Sequence, residues 1–211
     1  MGRFILGVLL AIVLAPVCLL GWLRFGHPPV AVSDPPLPQE QLLTGIALDA
    51  RIHREMNPNP PIQDTEDNLV AGAHIYSEKC AVCHGFHGKP SAFGGQMYPD
   101  APSLWEMHHH GTETMMGVTD DPPGETYWKV ANGIRLTGMP AFKGVLSETE
   151  MWQVSLLLAR ADKLLPPGAL EVLRGEPAVQ AAAPPLPEKT TGKTQLPQAK
   201  AAQSNQKGSD R

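Results

Sequence analysis

Cysteine, aromatic residues and charge of either sign are all sparse in this chain, and each shortage removes a class of protein. Three cysteines are an odd number, and Cys18 lies in an apolar run far from Cys80 and Cys83, so a disulfide framework does not organise the fold. Aromatic residues make up only 6% of the chain, against 22 prolines and 20 glycines, so much of its 211 residues cannot be packed core. With a formal charge of -4 and no basic cluster, the chain lacks the footprint of a nucleic-acid binder. Its acids are too scattered to form a polyanionic docking run, and there is no internal repeat.

What the chain does have begins at its amino terminus. Residues 4–23 (FILGVLLAIVLAPVCLLGWL) form an uncharged run of bilayer-spanning length between Arg3 and Arg24. A cleaved signal peptide has a shorter core and ends in a small-x-small site, which Gly21-Trp22-Leu23 does not supply, so residues 1–24 are read as a retained membrane anchor. Ala15-Pro16-Val17 is a poor context for lipid attachment at Cys18, which is read as a buried apolar side chain.

Residues 25–67 are rich in proline and acid and are expected to be a semi-extended tether, with room for a short helix between residues 39 and 54. Composition changes at residue 68, and residues 68–165 are expected to be the folded domain, all-α in class. Leu69, Gly72, Ala73, Tyr76, Cys80 and Cys83 recur at three- and four-residue steps on a first helix, with Asp67 or Asn68 as its N-cap. A second helix is predicted over residues 124–132, preceded by Pro122 and Pro123 and stopped by Gly133. A third starts at Ser147, where Glu150 completes a capping box and Leu146 can staple to Met151, and is expected to run to about Ala161. Residues 166–211 are Ala, Pro, Gln, Lys and Ser with few apolar anchors, and are expected to be a disordered tail.

The chemistry is concentrated in Cys80-Ala81-Val82-Cys83-His84. A Cys-x-x-Cys-His run lets two thiols on one helical turn add to the two vinyl groups of a haem while the adjacent imidazole faces the iron. A zinc site would want a second Cys-x-x-Cys, which is absent although His108, His109 and His110 are present. A thioredoxin-like pair would follow a strand, whereas this motif ends a helix. Single-electron exchange favours an iron that keeps six ligands in both oxidation states. Of the eight methionines, Met139 is the best second ligand, because Gly138 and Pro140 make a tight loop able to present its side chain inward.

From these residues the chain resembles a class I, mitochondrial-type cytochrome c domain of the bacterial membrane-anchored, monohaem kind. The likeness covers about residues 68–165. It implies one covalently bound haem c on Cys80 and Cys83, with His84 as proximal and Met139 as distal iron ligand. It also implies a crossing of first and last helices built from Gly72 and Tyr76 against Trp152 and Leu156. In such domains a proline carbonyl orients the ligating imidazole; Pro102 matches best, Pro99 is its rival, and a plain turn proline is the alternative. Tyr127 and Trp128 either reach the haem carboxylates or pack in the helix core. His108-His109-His110 with Met115-Met116 departs from the minimal pattern, as solvated loop residues or as a rival to Met139.

The functional expectation is a carrier of single electrons between respiratory redox partners, a donor and an acceptor protein, rather than a self-contained enzyme. The resemblance places covalent haem attachment, and so the haem domain, on the periplasmic side of a bacterial cytoplasmic membrane. Two alternatives remain open: a fixed cytochrome subunit of a membrane dehydrogenase or terminal oxidase complex, and a haem protein with a labile sixth ligand that binds gas or reacts with peroxide.

Overall fold

The computed structural model describes residues 1–110 and 113–174; the predicted tail beyond residue 174 lies outside them. The first helix, α1 (Gly2–Phe25), contains an 18-residue stretch of mean hydropathy 2.8 and buries no residue. At 1.5 Å per residue it is about 36 Å long, enough for a hydrocarbon core of about 30 Å. It is the one helix among the described residues long and apolar enough to cross a membrane, a property that a signal sequence shares.

Helix α2 (Glu40–Glu55) falls inside the predicted tether. Only its second half docks on the domain. Ile52 is fully buried, and the Glu55 carboxylate accepts a 3.0 Å hydrogen bond from the Trp128 indole N–H. The acidic, proline-rich composition disguised this contact, to which Arg51 adds by lying over the Trp128 ring at 5.8 Å.

The domain is built on α3 (Glu66–Ile75) and α6 (Glu148–Leu158). Thr65, rather than Asp67 or Asn68, caps α3 by accepting from the Asn68 backbone N–H. Ser147 and Glu150 form the expected capping box on α6, which ends three residues short of Ala161. The two helices cross at Gly72. A Cβ there would collide with the Gln153 carbonyl oxygen and lie 2.8 Å from its carbon and 3.2 Å from Leu157 Cβ. The crossing partners are therefore Gln153 and Leu157, one position along from the expected Trp152 and Leu156. Trp152 stacks instead on Tyr127 at 4.2 Å, tying α6 to α5 (Pro123–Asn132).

Two further elements depart from the expected outline. Helix α7 (Pro167–Arg174) lies past residue 166, where the tail was expected to begin, and packs on α3 with Ala169 and Leu173 fully buried. Burying one leucine stabilises by about 1.5–3 kcal/mol, enough to hold two helical turns that composition alone assigns to solvent. Strands β1 (Met107–His110) and β2 (Glu113–Met116) form an antiparallel ribbon attached to the otherwise helical fold, with Met107 opposite Met116 and His108 opposite Met115.

Candidate functional site

Local structure around the cysteine motif is set by an extra residue in the helix. After Ile75 the chain makes one turn of π-helix, Tyr76–Cys80, in which the Ala81 N–H donates to the Tyr76 carbonyl, before resuming as α4 (Ala81–His84). The insertion rotates Cys83 and His84 relative to α3, and π-bulges of this kind recur at functional sites. Tyr76 locks the turn: it is fully buried, its hydroxyl donates to the Gly85 carbonyl at 2.7 Å, and its ring meets Trp105 edge-on at 5.5 Å. Gly85, at φ +78°, then reverses the chain where a side chain would strike Lys89. The returning loop is pinned to the motif by Ser91, whose hydroxyl donates to the Val82 carbonyl at 2.6 Å and accepts from the Gly94 N–H at 3.0 Å.

His84 has one defined orientation. Its Nδ1 lies 2.8 Å from the Pro102 carbonyl oxygen, and since a carbonyl only accepts, Nδ1 carries the proton and Nε2 keeps its lone pair. Burial holds this imidazole below its ordinary range, although the Pro102 bond pulls the other way. Burial, and secondarily the neighbouring Cys83, push the Cys80 thiol up to about 12, so it is a neutral thiol rather than a thiolate. Burial raises Cys83 as well.

Met139 is presented by a loop braced on the end of α5. Thr137 Oγ1 donates to the Ile134 carbonyl at 2.7 Å and accepts from the Met139 N–H at 3.1 Å. Gly133, at φ +65°, faces Pro140 and Ala141 so closely that a Cβ would lie 2.7 Å from the Ala141 nitrogen. The Phe142 N–H donates to the Val130 carbonyl, closing the loop.

These segments enclose one cavity. Cys80, Cys83, His84, Pro102 and Met139 all line it, with Leu48, Leu104, Val130, Phe142 and Leu158 among its apolar walls. Two lining residues stand out as unexpected. Met97 is one, its sulfur packed against Gly138 beside the Met139 loop. Leu48 of α2 is the other, so the supposed tether contributes to the wall. Lys129 also lines the cavity, its ammonium held between Asp121 at 2.9 Å and Glu125 at 2.8 Å. Tyr127 and Trp128 do not line it, being engaged by Trp152 and Glu55. Met107, His108, His109, Met115 and Met116 are likewise outside its lining.

The donors do not converge as they would on a bare ion: among the described residues no three His, Cys, Asp or Glu side chains could hold a metal. Two unpaired thiols, an imidazole with its outer nitrogen satisfied, and thioethers spread around an apolar cavity fit a flat, two-armed iron macrocycle instead. Residues 67–156 match the family described as cytochrome c oxidase, cbb3-type, subunit III. This chain carries a c-type cytochrome domain. A cytochrome c domain implies covalently bound haem c and suggests electron transfer. No curated protein matches the cytochrome. Among solved structures, a chain of the Kuenenia stuttgartiensis reducing HAO-like protein complex is 27% identical, over 50% of this chain and 48% of that chain, at a TM-score of 0.34. The cytochrome thus spans about half the length of that relative.

Proposed function

We propose that the chain is a membrane-anchored monohaem c-type cytochrome that passes single electrons between respiratory partners, with α1 in the cytoplasmic membrane and the haem domain in the periplasm. The observation that carries this reading is the His84–Pro102 hydrogen bond of 2.8 Å, which leaves Nε2 free in the cavity that also receives Cys80, Cys83 and Met139. Cys80 and Cys83 would hold a haem by thioether bonds, with His84 and Met139 as axial ligands. Bound there, haem c supplies a one-electron iron couple. Pro102 fixes the imidazole and the Thr137-braced loop fixes the thioether, so neither side chain must move between oxidation states. A soft thioether opposite an imidazole favours the ferrous state and raises the potential.

A second reading, a fixed subunit of an oxidase or dehydrogenase complex, is favoured by the docking of α2 and by the family's description as an oxidase subunit. The gas-binding alternative requires a labile sixth ligand. Ferrous wild-type protein is expected to exclude carbon monoxide at neutral pH and to show the ferric thioether-to-iron absorption band. Met139→Ala should lose the band and admit carbon monoxide, whereas Met97→Leu should change neither. Rapid carbon monoxide binding by the wild type would reject the carrier, and loss of the band in Met97→Leu alone would move the ligand to Met97.

A further inference from the structure

Leu136 lies in the loop between α5 and α6 that presents Met139. There the Ile134 N–H donates to the Met139 carbonyl and the Thr137 N–H to the Ile134 carbonyl, at 3.3 and 3.2 Å, closing a tight turn. Ile134, Thr137, Gly138, Met139 and Pro140 all line the haem cavity, whereas Arg135 and Leu136 do not. Leu136 is instead 84% exposed, and its backbone is left-handed at φ +66°. That conformation is strained for a residue with a branched apolar side chain, and glycine or asparagine would hold it with less strain. Backbone strain and an outward apolar side chain both count against leucine in the isolated chain. Contact with another molecule offsets both.

We infer that the turn from Ile134 to Met139 docks a redox partner protein whose face is acidic with an apolar centre, Leu136 being the anchor and Arg135 and Lys143 the flanking charges. The inference rests on the carrier reading above and names the chemistry of its partner. Position favours a redox partner, because the turn that exposes Leu136 delivers Met139 three residues later, so whatever covers the leucine lies beside the proposed iron ligand. Charge gives the partner its sign. No acid occurs between Glu125 and Glu148, whereas Arg135 and Lys143 are exposed and, among the described residues, have no ion pair. Lys129, the third base of this stretch, is held by Asp121 and Glu125, and Lys79 and Asp100 of the cavity lining offset one another. Two unpaired cations thus sit on the loop of Leu136 in a chain whose formal charge is -4. Opposite charges steer encounter and fix orientation, while a desolvated apolar centre holds the complex. A second copy docking through the same turn would set like charges against one another, which disfavours it as the occupant.

The test replaces the full-length, haem-loaded chain in its native membranes with Leu136→Asn, with Leu136→Met, and with Arg135→Gln and Lys143→Gln combined, haem content held equal. Reduction and reoxidation of the haem by the membrane partners are followed at increasing ionic strength, and reduction by ascorbate with a small-molecule mediator, which needs no docking face, is the control. Leu136→Asn should slow exchange with the partners by about tenfold, the scale set by burying one leucine, and Leu136→Met should restore most of it. The double glutamine variant should be slower at low salt and flatten the fall of the wild-type rate with salt. Mediated reduction should be the same in all, and Leu136→Asn should resist urea as well as the wild type or better, since asparagine tolerates the left-handed backbone. Exchange undiminished in Leu136→Asn, while the wild type turns over, would overturn the docking turn and leave the carrier standing; no turnover by the wild type would reject carrier and docking together. A wild-type rate that rises with salt would reject the acidic partner. Loss of the ferric thioether band in Leu136→Asn would make the leucine a brace of the Met139 loop, and self-association of the purified protein that this variant abolishes would give the turn to a second copy; either overturns the inference.

Discussion

Lys129 shows at single-residue scale how the cavity wall is held. Burial alone would lower its ammonium, but the Glu125 and Asp121 carboxylates outweigh that and raise it above its ordinary 10.5. The pair with Asp121 joins α5 to the loop after β2, and both partners are largely shielded. A lysine whose folded value is raised contributes stability that is complete below the unfolded value and lost as pH climbs through the folded one. Lys129→Met should therefore destabilise at neutral pH by about 2–3 kcal/mol, somewhat below the ~3–5 kcal/mol of a fully buried pair, because two carboxylates lose their partner. Urea unfolding should show this gap constant through neutral and mildly alkaline pH and closing only above the ordinary lysine range. A gap that closed on acidification to neutrality would mean that another group carries it.

At the scale of elements, the α3–α6 crossing depends on the absence of a side chain at Gly72. The obstructing atoms, the Gln153 carbonyl, are backbone and cannot rotate away, so Gly72→Ala should cost about 1–3 kcal/mol or more in chemical denaturation. Gly45 on α2 has open space around it, and Gly45→Ala should be neutral or stabilise by about 0.5–1 kcal/mol through helix propensity. Equal effects at the two positions would remove the close crossing. Gly72, the Ser147–Glu150 box and the run from Cys80 to His84 were legible because each needs a particular residue type at a fixed spacing. Gln153 and Leu157 were not, because which face of α6 meets Gly72 depends on the Tyr127–Trp152 stack, a contact 25 residues apart in sequence. The π-turn at Tyr76–Cys80 was hidden for a related reason: its apolar spacing fits a continuous helix equally well, and the locking bond from Tyr76 to Gly85 is tertiary. Helices α2 and α7 were missed as packed elements because their anchors, Ile52 in one and Ala169 with Leu173 in the other, are few and sit in polar, proline-flanked segments.

For the whole molecule, the docking of α2 changes how far the haem domain can travel from α1. With residues 25–67 as a free tether, a fully extended chain at about 3.3–3.6 Å per residue could reach roughly 150 Å. Between Phe25 and Glu40, however, only residues 26–39 remain, and the same arithmetic limits them to about 50 Å. The segment is shorter still where Asp34 accepts from the backbone N–H groups of Val30 and Ala31, both at 2.8 Å. On the proposed reading, a carrier on so short a lead would serve partners within its reach at high effective concentration, which falls if the lead cannot span both sites. Deleting most of residues 28–38 should therefore depress electron flux in native membranes, while doubling the segment with Gly/Ser residues should lower it only slightly, since effective concentration declines slowly with length. Flux is read as oxygen consumption from a membrane-bound donor, with haem content held equal between variants. A subunit locked into a complex predicts a different pattern: the lengthened lead leaves flux and co-purification unchanged, and the shortened one disrupts assembly itself. Full-stoichiometry co-purification and unaltered flux with the lengthened lead, together with loss of assembly with the shortened one, would replace the short-reach carrier with the fixed subunit.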